Sequence, residues 1–300
     1  MVTRSGIETT SFDSDTTITD IPNRADVEPI LLMALLLIGV FAGCFGAVFG
    51  LGGGIILIPV MTIAFGLDPT TAAAASLVGI VATSAGSATR SLKKGTTNIR
   101  LGLMLEITTS IGAILGAAIA VYLADWILLL FFAAVMLYSG VKMAVSPERV
   151  VDESSENGMM TFEYTDAAEG DAVKRYTVKN VRSGLGLCVV AGAVSSMTGV
   201  GGGSIKVPLM NIYMHVPLKV ASTTSSYMIG ITAFSGALIY LAAGQVVLDV
   251  AAAIAIGTYI GALIGARIAE KVHTASLKRY MSVVFFFVFF IMLLKAGGYM

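Results

Sequence analysis

Two ionisable side chains, two glycine clusters and a pair of serines carry the chemistry this sequence offers. Lys206 lies three residues past Gly203 within a long apolar stretch, and Glu106 lies six residues into another. An ionisable residue inside such a stretch is a functional candidate by default. Lys206 would supply one full positive charge to an anion, or would snorkel to an interface. Glu106 would carry a coupling proton, because burial favours the neutral form of a carboxyl group; its alternatives are a place facing the cytoplasmic interface or a structural pairing with Arg100 or Lys94. The glycine clusters are Gly50-Leu51-Gly52-Gly53-Gly54, followed by Pro59, and Gly199-Val200-Gly201-Gly202-Gly203, followed by Pro208. Glycines permit positive φ and close backbone approach. A turn that opens a helix also leaves backbone N–H groups at the positive end of the helix dipole, where anions bind. The candidate anion-binding set is therefore Gly52, Gly53, Gly54, Gly201, Gly202, Gly203 and Lys206. Ser76 and Ser225 join it because both copies keep a hydroxyl there, although hydroxyls also serve as bonds between helices.

These positions repeat at an ungapped offset of 149 residues: Gly43 falls on Gly192, Ser76 on Ser225, Thr83 on Thr232 and Gly112 on Gly261. One unit is duplicated, and each copy interrupts an apolar segment at the same place. In membrane transporters paired interruptions of this kind mark the binding site. The charges break the symmetry, since Lys206 falls on Leu57 and Glu106 on Ala255.

The elements that must position these residues are membrane helices. The chain has 300 residues, 56% hydrophobic and only 13% charged, about half the charge of an ordinary soluble domain. Its apolar runs are continuous rather than alternating, which points to a polytopic all-α membrane protein and away from an outer-membrane barrel. Each half offers five segments: Ile30–Phe49, Ile55–Phe65, Thr70–Thr89, Leu101–Leu123 and Trp126–Val145, then Ser183–Met197, Ser204–Met214, Val220–Leu241, Val246–Ile268 and Leu277–Leu294. The segment after each glycine cluster covers only roughly 16 Å as a helix, so each cluster is expected to join the parts of a broken hairpin. Gly112-x3-Gly116 and Gly257-x3-Gly261-x3-Gly265 are expected to serve tight helix packing.

The basic residues Arg90, Lys93, Lys94, Arg100, Lys142, Arg149, Lys174, Arg175, Lys179, Arg182, Lys219, Arg267, Lys271, Lys278 and Arg279 fall into loops that share one side if each half crosses with five segments. By the positive-inside rule that side is cytoplasmic and both termini lie outside. An odd number of segments makes the two repeats inverted. The alternative counts each broken pair as one crossing, giving eight spans and parallel repeats. Residues 1–29 read as a polar, acidic and mobile tail without a signal-peptide core. Residues 30–145 form the first repeat, 146–182 a cytoplasmic loop and 183–296 the second repeat. In the loop, Phe162, Tyr164, Tyr176 and Val178 alternate with polar residues around Glu169-Gly170-Asp171, as in a β-hairpin.

Zero net charge leaves no nucleic-acid footprint. Cys44 and Cys188 read as small buried residues, and His215 and His273 have no metal-ligand spacing. No cofactor is implied. There is no Walker-type loop, HExxH or GxSxG, so neither an ATP-driven pump nor an enzyme is indicated. The implied partners are a small anion and the lipid bilayer; the oligomeric state is not legible.

At the two glycine motifs, with Pro59 and with Ile205-Lys206-Val207-Pro208, and at the basic turn from Arg90 to Gly95, the chain resembles the sulfite exporter TauE/SafE family of membrane permeases. The resemblance spans both repeats, roughly Ile30 to Leu294. It implies a cell-membrane secondary transporter of small sulfur-containing anions such as sulfite or organosulfonates, usually in the export direction. A passive anion channel, and a membrane sensor or scaffold acting through the central loop, are the alternative functions.

Overall fold

The computed structural model describes residues 29–93, 97–145, 161–166, 172–269 and 274–296. The first half contains α1 (Pro29–Phe49), α2 (Gly54–Ile63), α3 (Pro69–Lys93), α4 (Ile99–Ala120) and α5 (Asp125–Val145). Two antiparallel strands follow, β1 (Thr161–Asp166) and β2 (Ala172–Thr177). The second half contains α6 (Val181–Thr198), α7 (Gly203–Pro208) with a π-helical turn (Leu209–Tyr213), α8 (Leu218–Ala242), α9 (Leu248–Ala269) and α10 (Thr274–Ala296). The acidic tail, Lys94 and the Glu169-Gly170-Asp171 turn lie outside the described residues.

Among the described residues six helices are long and apolar enough to cross a membrane: α1, α3 over Pro69–Thr89, α4, α6, α8 and α9. Their outward faces carry exposed large apolar residues, such as Phe41 on α1, Ile107 on α4 and Ile256 on α9. In water such a surface would be a liability. In lipid it is the required one.

The helices pair across the two halves. α1 packs on α9 and α6 on α4, while α3 packs on α8 and α5 on α10. The glycine ladders make the first two pairings possible. A methyl group on Gly112 or Gly116 of α4 would lie within 2.1 Å of a carbonyl oxygen of α6, at Val189 or Ala193. On α9, Gly257, Gly261 and Gly265 meet Leu36, Val40 and Cys44 of α1 in the same way, within 2.2 Å. Val40 and Cys44 are the repeat counterparts of Val189 and Ala193, so the two interfaces are copies of one another.

Each glycine cluster turns the chain back on itself. Gly50, Gly52 and Gly53 have φ of 73°, 81° and 90°; Gly199, Gly201 and Gly202 have 68°, 81° and 78°. Only glycine occupies that region without penalty. The turn ends α1 with Leu51 N–H donating to the Gly46 carbonyl (3.0 Å), and α6 with Val200 N–H donating to Ser195 (3.2 Å), a bond of the Schellman type. α2 then returns beside α1, its Met61 packed in one apolar cluster with Leu31, Leu32 and Leu35. The π turn returns beside the start of α6, where Asn180 Nδ2 donates to the Tyr213 carbonyl (3.1 Å) and Lys179 N–H to that of Met214 (3.0 Å).

The β-hairpin is anchored to the helices rather than free. Tyr176 and Val178 are buried in an apolar cluster with Leu101, Met210 and Met214. The Tyr176 hydroxyl accepts from Asn98 Nδ2 (2.8 Å), and the Asn98 side-chain oxygen caps α4 by accepting from Leu101 N–H (3.0 Å).

Candidate functional site

The two glycine turns meet. A methyl on Gly54 would lie 2.7 Å from the Gly199 carbonyl oxygen and 2.8 Å from Val200 Cα; one on Gly203 would lie 2.3 Å from the Gly50 oxygen and 2.6 Å from Leu51 Cα. Gly54 corresponds to Gly203, Gly50 to Gly199 and Leu51 to Val200. The contact is therefore reciprocal, as a two-fold relation between the halves requires. Within each cluster the first, third and fourth residues supply positive φ, and the fifth supplies backbone proximity.

Ser76 and Ser225 tie the turns together from opposite sides. Ser76 Oγ donates to the Gly199 carbonyl (2.8 Å), and Ser225 Oγ to that of Gly50 (3.0 Å). Each serine satisfies the turn of the other repeat. Both hydroxyls spend their proton on the scaffold, leaving only lone pairs.

Two isoleucines fill the space beside the junction. A methyl on Gly52 would approach Ile80 Cγ2 to 2.9 Å and Ile229 Cγ2 to 3.1 Å, and one on Gly201 meets the same two side chains. Ile80 and Ile229 are themselves repeat equivalents, and both are fully buried. The conformation is closed at this point.

Lys206 and Glu106, predicted separately, form one buried pair. Lys206 Nζ donates to Glu106 Oε2 (3.1 Å) and to Thr232 Oγ1 (2.5 Å); Thr232 donates to Glu106 Oε1 (2.6 Å). Ser110 Oγ adds a bond to the same Glu106 oxygen (3.1 Å). The side chains of Lys206 and Glu106 are 1% and 4% exposed, so Lys206 does not snorkel. Glu106 takes its cation from α7, not from Arg100. The opposed charges, with hydrogen bonds to the carboxylate, provide the pairing that a buried ion requires.

The symmetry-related region carries no charge: Leu57 stands for Lys206, Ala255 for Glu106 and Gly46 for Ser195. Thr83, the counterpart of Thr232, merely bonds back to the Gly79 carbonyl (3.0 Å). Ser195 lies against the turn, since a methyl on Gly202 would meet Ser195 Oγ at 2.9 Å and Lys206 Cε at 3.4 Å. The Ser195 hydroxyl is buried and has no hydrogen-bond partner among the described residues. Sequence reasoning missed Ser195 because its counterpart is glycine, and missed the role of Thr232 because its counterpart threonine is structural.

Asn211 closes the loop after the π turn, donating to the Val216 carbonyl (3.0 Å). Cys188 is buried and Cys44 half-buried. Among the described residues no group of three His, Cys, Asp or Glu side chains could hold a metal ion. A groove of roughly 520 Å³ runs between α5, α6 and α7, with mostly apolar walls and Tyr138, Ser139 and Lys142 on the α5 side.

The fold and this site define a multi-pass helical membrane protein in which two glycine-broken hairpins meet beside a buried ion pair. The chain belongs to the sulfite exporter TauE/SafE family, which matches it over residues 35–292. It is similar to the probable membrane transporter protein YunE of Bacillus subtilis (strain 168), with 27% identity over 259 residues covering 83% of this chain and 93% of that one. It is also similar to the probable membrane transporter protein MJ0441 of Methanocaldococcus jannaschii, with 24% identity over 269 residues covering 84% and 92% respectively. No solved structure is significantly similar. The chain is thus a member of a membrane-transporter family.

Proposed function

We propose that this protein is a secondary transporter of a small anion, sulfite or an organosulfonate, working by alternating access around the junction of the two broken hairpins. The observation that carries the reading is the contact of the two turns beside a fully buried lysine. A charge placed there at such cost marks a solute pathway, and broken helices at a repeat interface are where transporters bind their solutes. The family and its relatives, named as probable membrane transporters, support the class; sulfite is the solute in the family's own description.

The binding set is Gly52, Gly53, Gly54, Gly201, Gly202, Gly203 and Lys206, joined by Ser76 and Ser225 when opening of the junction releases their hydroxyl protons from the Gly199 and Gly50 carbonyls. The amides of Gly54 and Ile55 in α2 and of Gly203 and Ser204 in α7 precede the first helical bonds, which Ile56 and Ile205 make to Gly53 and Gly202, and are available to an oxyanion once the junction opens. Inverted repeats of five segments fit the contacts: α2 ends beside the start of α1, the π turn ends beside the start of α6, and the 25-residue α8 runs between those two regions. The positive-inside rule then puts both termini outside and the β-hairpin in the cytoplasm of a cell membrane. The closed packing of Ile80 and Ile229 favours a carrier over a passive channel. Docking of Tyr176 onto Asn98 gives the hairpin a route to influence α4, which is the basis of the sensor reading.

The test is flux in proteoliposomes with a panel of oxyanions and sulfonates, comparing the native chain with Lys206→Ala. The expected result is saturable transport, with affinity weakened at least about tenfold in the variant, ~1.4 kcal/mol. Unchanged affinity in a folded variant would remove Lys206 from the site.

A further inference from the structure

Lys206 is not free to receive an anion as it stands. Two of its three protons go to Glu106 and Thr232, and Thr232 passes its own proton to the other Glu106 oxygen. The carboxylate therefore occupies the place that a substrate anion would need. Two negative groups cannot share one buried ammonium without a large penalty. Removing the charge of Glu106 lifts that penalty, and a proton does so without moving any helix.

Resting on the anion-transporter reading, we propose that Glu106 is the proton carrier of the cycle: it takes up one proton as Lys206 accepts one anion, and returns it when the anion leaves. The charges balance at each stage. In the empty site, carboxylate and ammonium cancel. In the loaded site, Glu106 is neutral and the bound anion cancels the ammonium. The proton comes from water on the side from which the anion arrives, and both leave together.

Two observations on separate elements support this. Ser195 on α6 has a buried hydroxyl without a partner among the described residues, and a methyl on Gly202 would meet both it and Lys206 Cε, so a second ligand for an anion stands near the ammonium-bearing side chain. The symmetry-related region is built from Leu57 and Gly46 of the first repeat and Ala255 of the second. The shared architecture thus does not need the charges, and their presence at only one of the two equivalent regions belongs to the chemistry. The titratable groups facing Glu106 from the elements packed around it are Lys206 on α7 and Cys188 on α6; Tyr227 of α8 packs one turn away against Gly102, Tyr240 of α8 bonds the Ser196 carbonyl, Arg182 and Lys219 lie in the first turns of α6 and α8, and Arg100, in the first turn of α4, is exposed. Lys206 is thus the cation to which the carboxylate answers.

Because the site is neutral both empty and loaded, membrane voltage does no work on the cycle. The sum of the proton and anion gradients sets the direction, and net export requires an outward anion gradient larger than any opposing proton gradient.

The experiment uses wild-type protein in proteoliposomes with methanesulfonate, a strong-acid anion that carries no proton of its own. Internal pH is followed with a trapped dye, and voltage is clamped with potassium and valinomycin. One proton is expected to enter with each anion. Uptake should follow an acid exterior, reaching about tenfold accumulation per pH unit, and should be indifferent to voltage. Glu106→Gln should still exchange methanesulfonate but move no protons, and net flux should become voltage-driven because the returning site carries the Lys206 charge. Saturable wild-type uptake that follows voltage without acidifying the lumen overturns the proton role and leaves the transporter reading standing. No saturable uptake under any gradient overturns both. If Glu106→Gln does not fold, the wild-type stoichiometry decides alone.

Discussion

Lys206 and Glu106 are each expensive and together affordable. Removing one partner of a buried pair leaves the other charge uncompensated, at about 3–5 kcal/mol. Lys206→Ala should therefore lower the thermal midpoint in detergent sharply, whereas the neutral pair Lys206→Met with Glu106→Gln should recover most of the loss. Equal destabilisation by the single and double changes would mean that shape rather than charge holds this site. Each residue was legible in the sequence as an ionisable group in an apolar segment. Their pairing was not, because it joins positions a hundred residues apart through the packing of α4, α7 and α8. Ser76 and Ser225 were visible as a symmetric pair, but that each bonds the glycine turn of the opposite repeat is a property of the folded chain.

The glycines divide into classes at the level of helices and turns. Those in the clusters set backbone direction, and those on α4 and α9 set interhelical distance. Gly112→Leu places carbons where the Val189 carbonyl stands and should cost at least about 1–3 kcal/mol, the range for overpacking. Gly186→Ala on α6 meets nothing within 4 Å and has no positive φ; it should leave the melting midpoint unchanged. Comparable losses in both would contradict the packing argument. The boundaries of the ten helical segments were largely readable, since hydrophobic length and glycine punctuation are local signals. The π turn after Pro208 was not. Pro59 occupies the same place in α2, where the α-helix continues to Ile63, so proline alone does not produce it. π turns gather at functional sites, and this one follows directly from the helix that bears Lys206.

At the scale of the molecule, pseudo-symmetry builds the scaffold and its breach builds the buried ion pair. The cross-repeat pairing of α1 with α9 and α4 with α6 follows from a duplication that the sequence displays, but the swap between halves is a property of three-dimensional packing. The orientation is testable by cysteine labelling. Ala243→Cys, in the exposed turn after α8, should react with an impermeant maleimide on intact cells, and Lys179→Cys, beside the β-hairpin, only after permeabilisation. The reverse pattern would invert the proposed topology, and labelling of both from one side would abolish it.

The claim on which all this rests is that the junction beside Lys206 receives the anion. The most direct measurement is equilibrium binding of sulfite and methanesulfonate to purified wild-type protein and to the Lys206→Met, Glu106→Gln variant, both verified as folded by thermal melting. The account predicts saturable binding by the wild type and affinity at least about tenfold weaker in the variant, ~1.4 kcal/mol. Equal affinity in two folded proteins would contradict it.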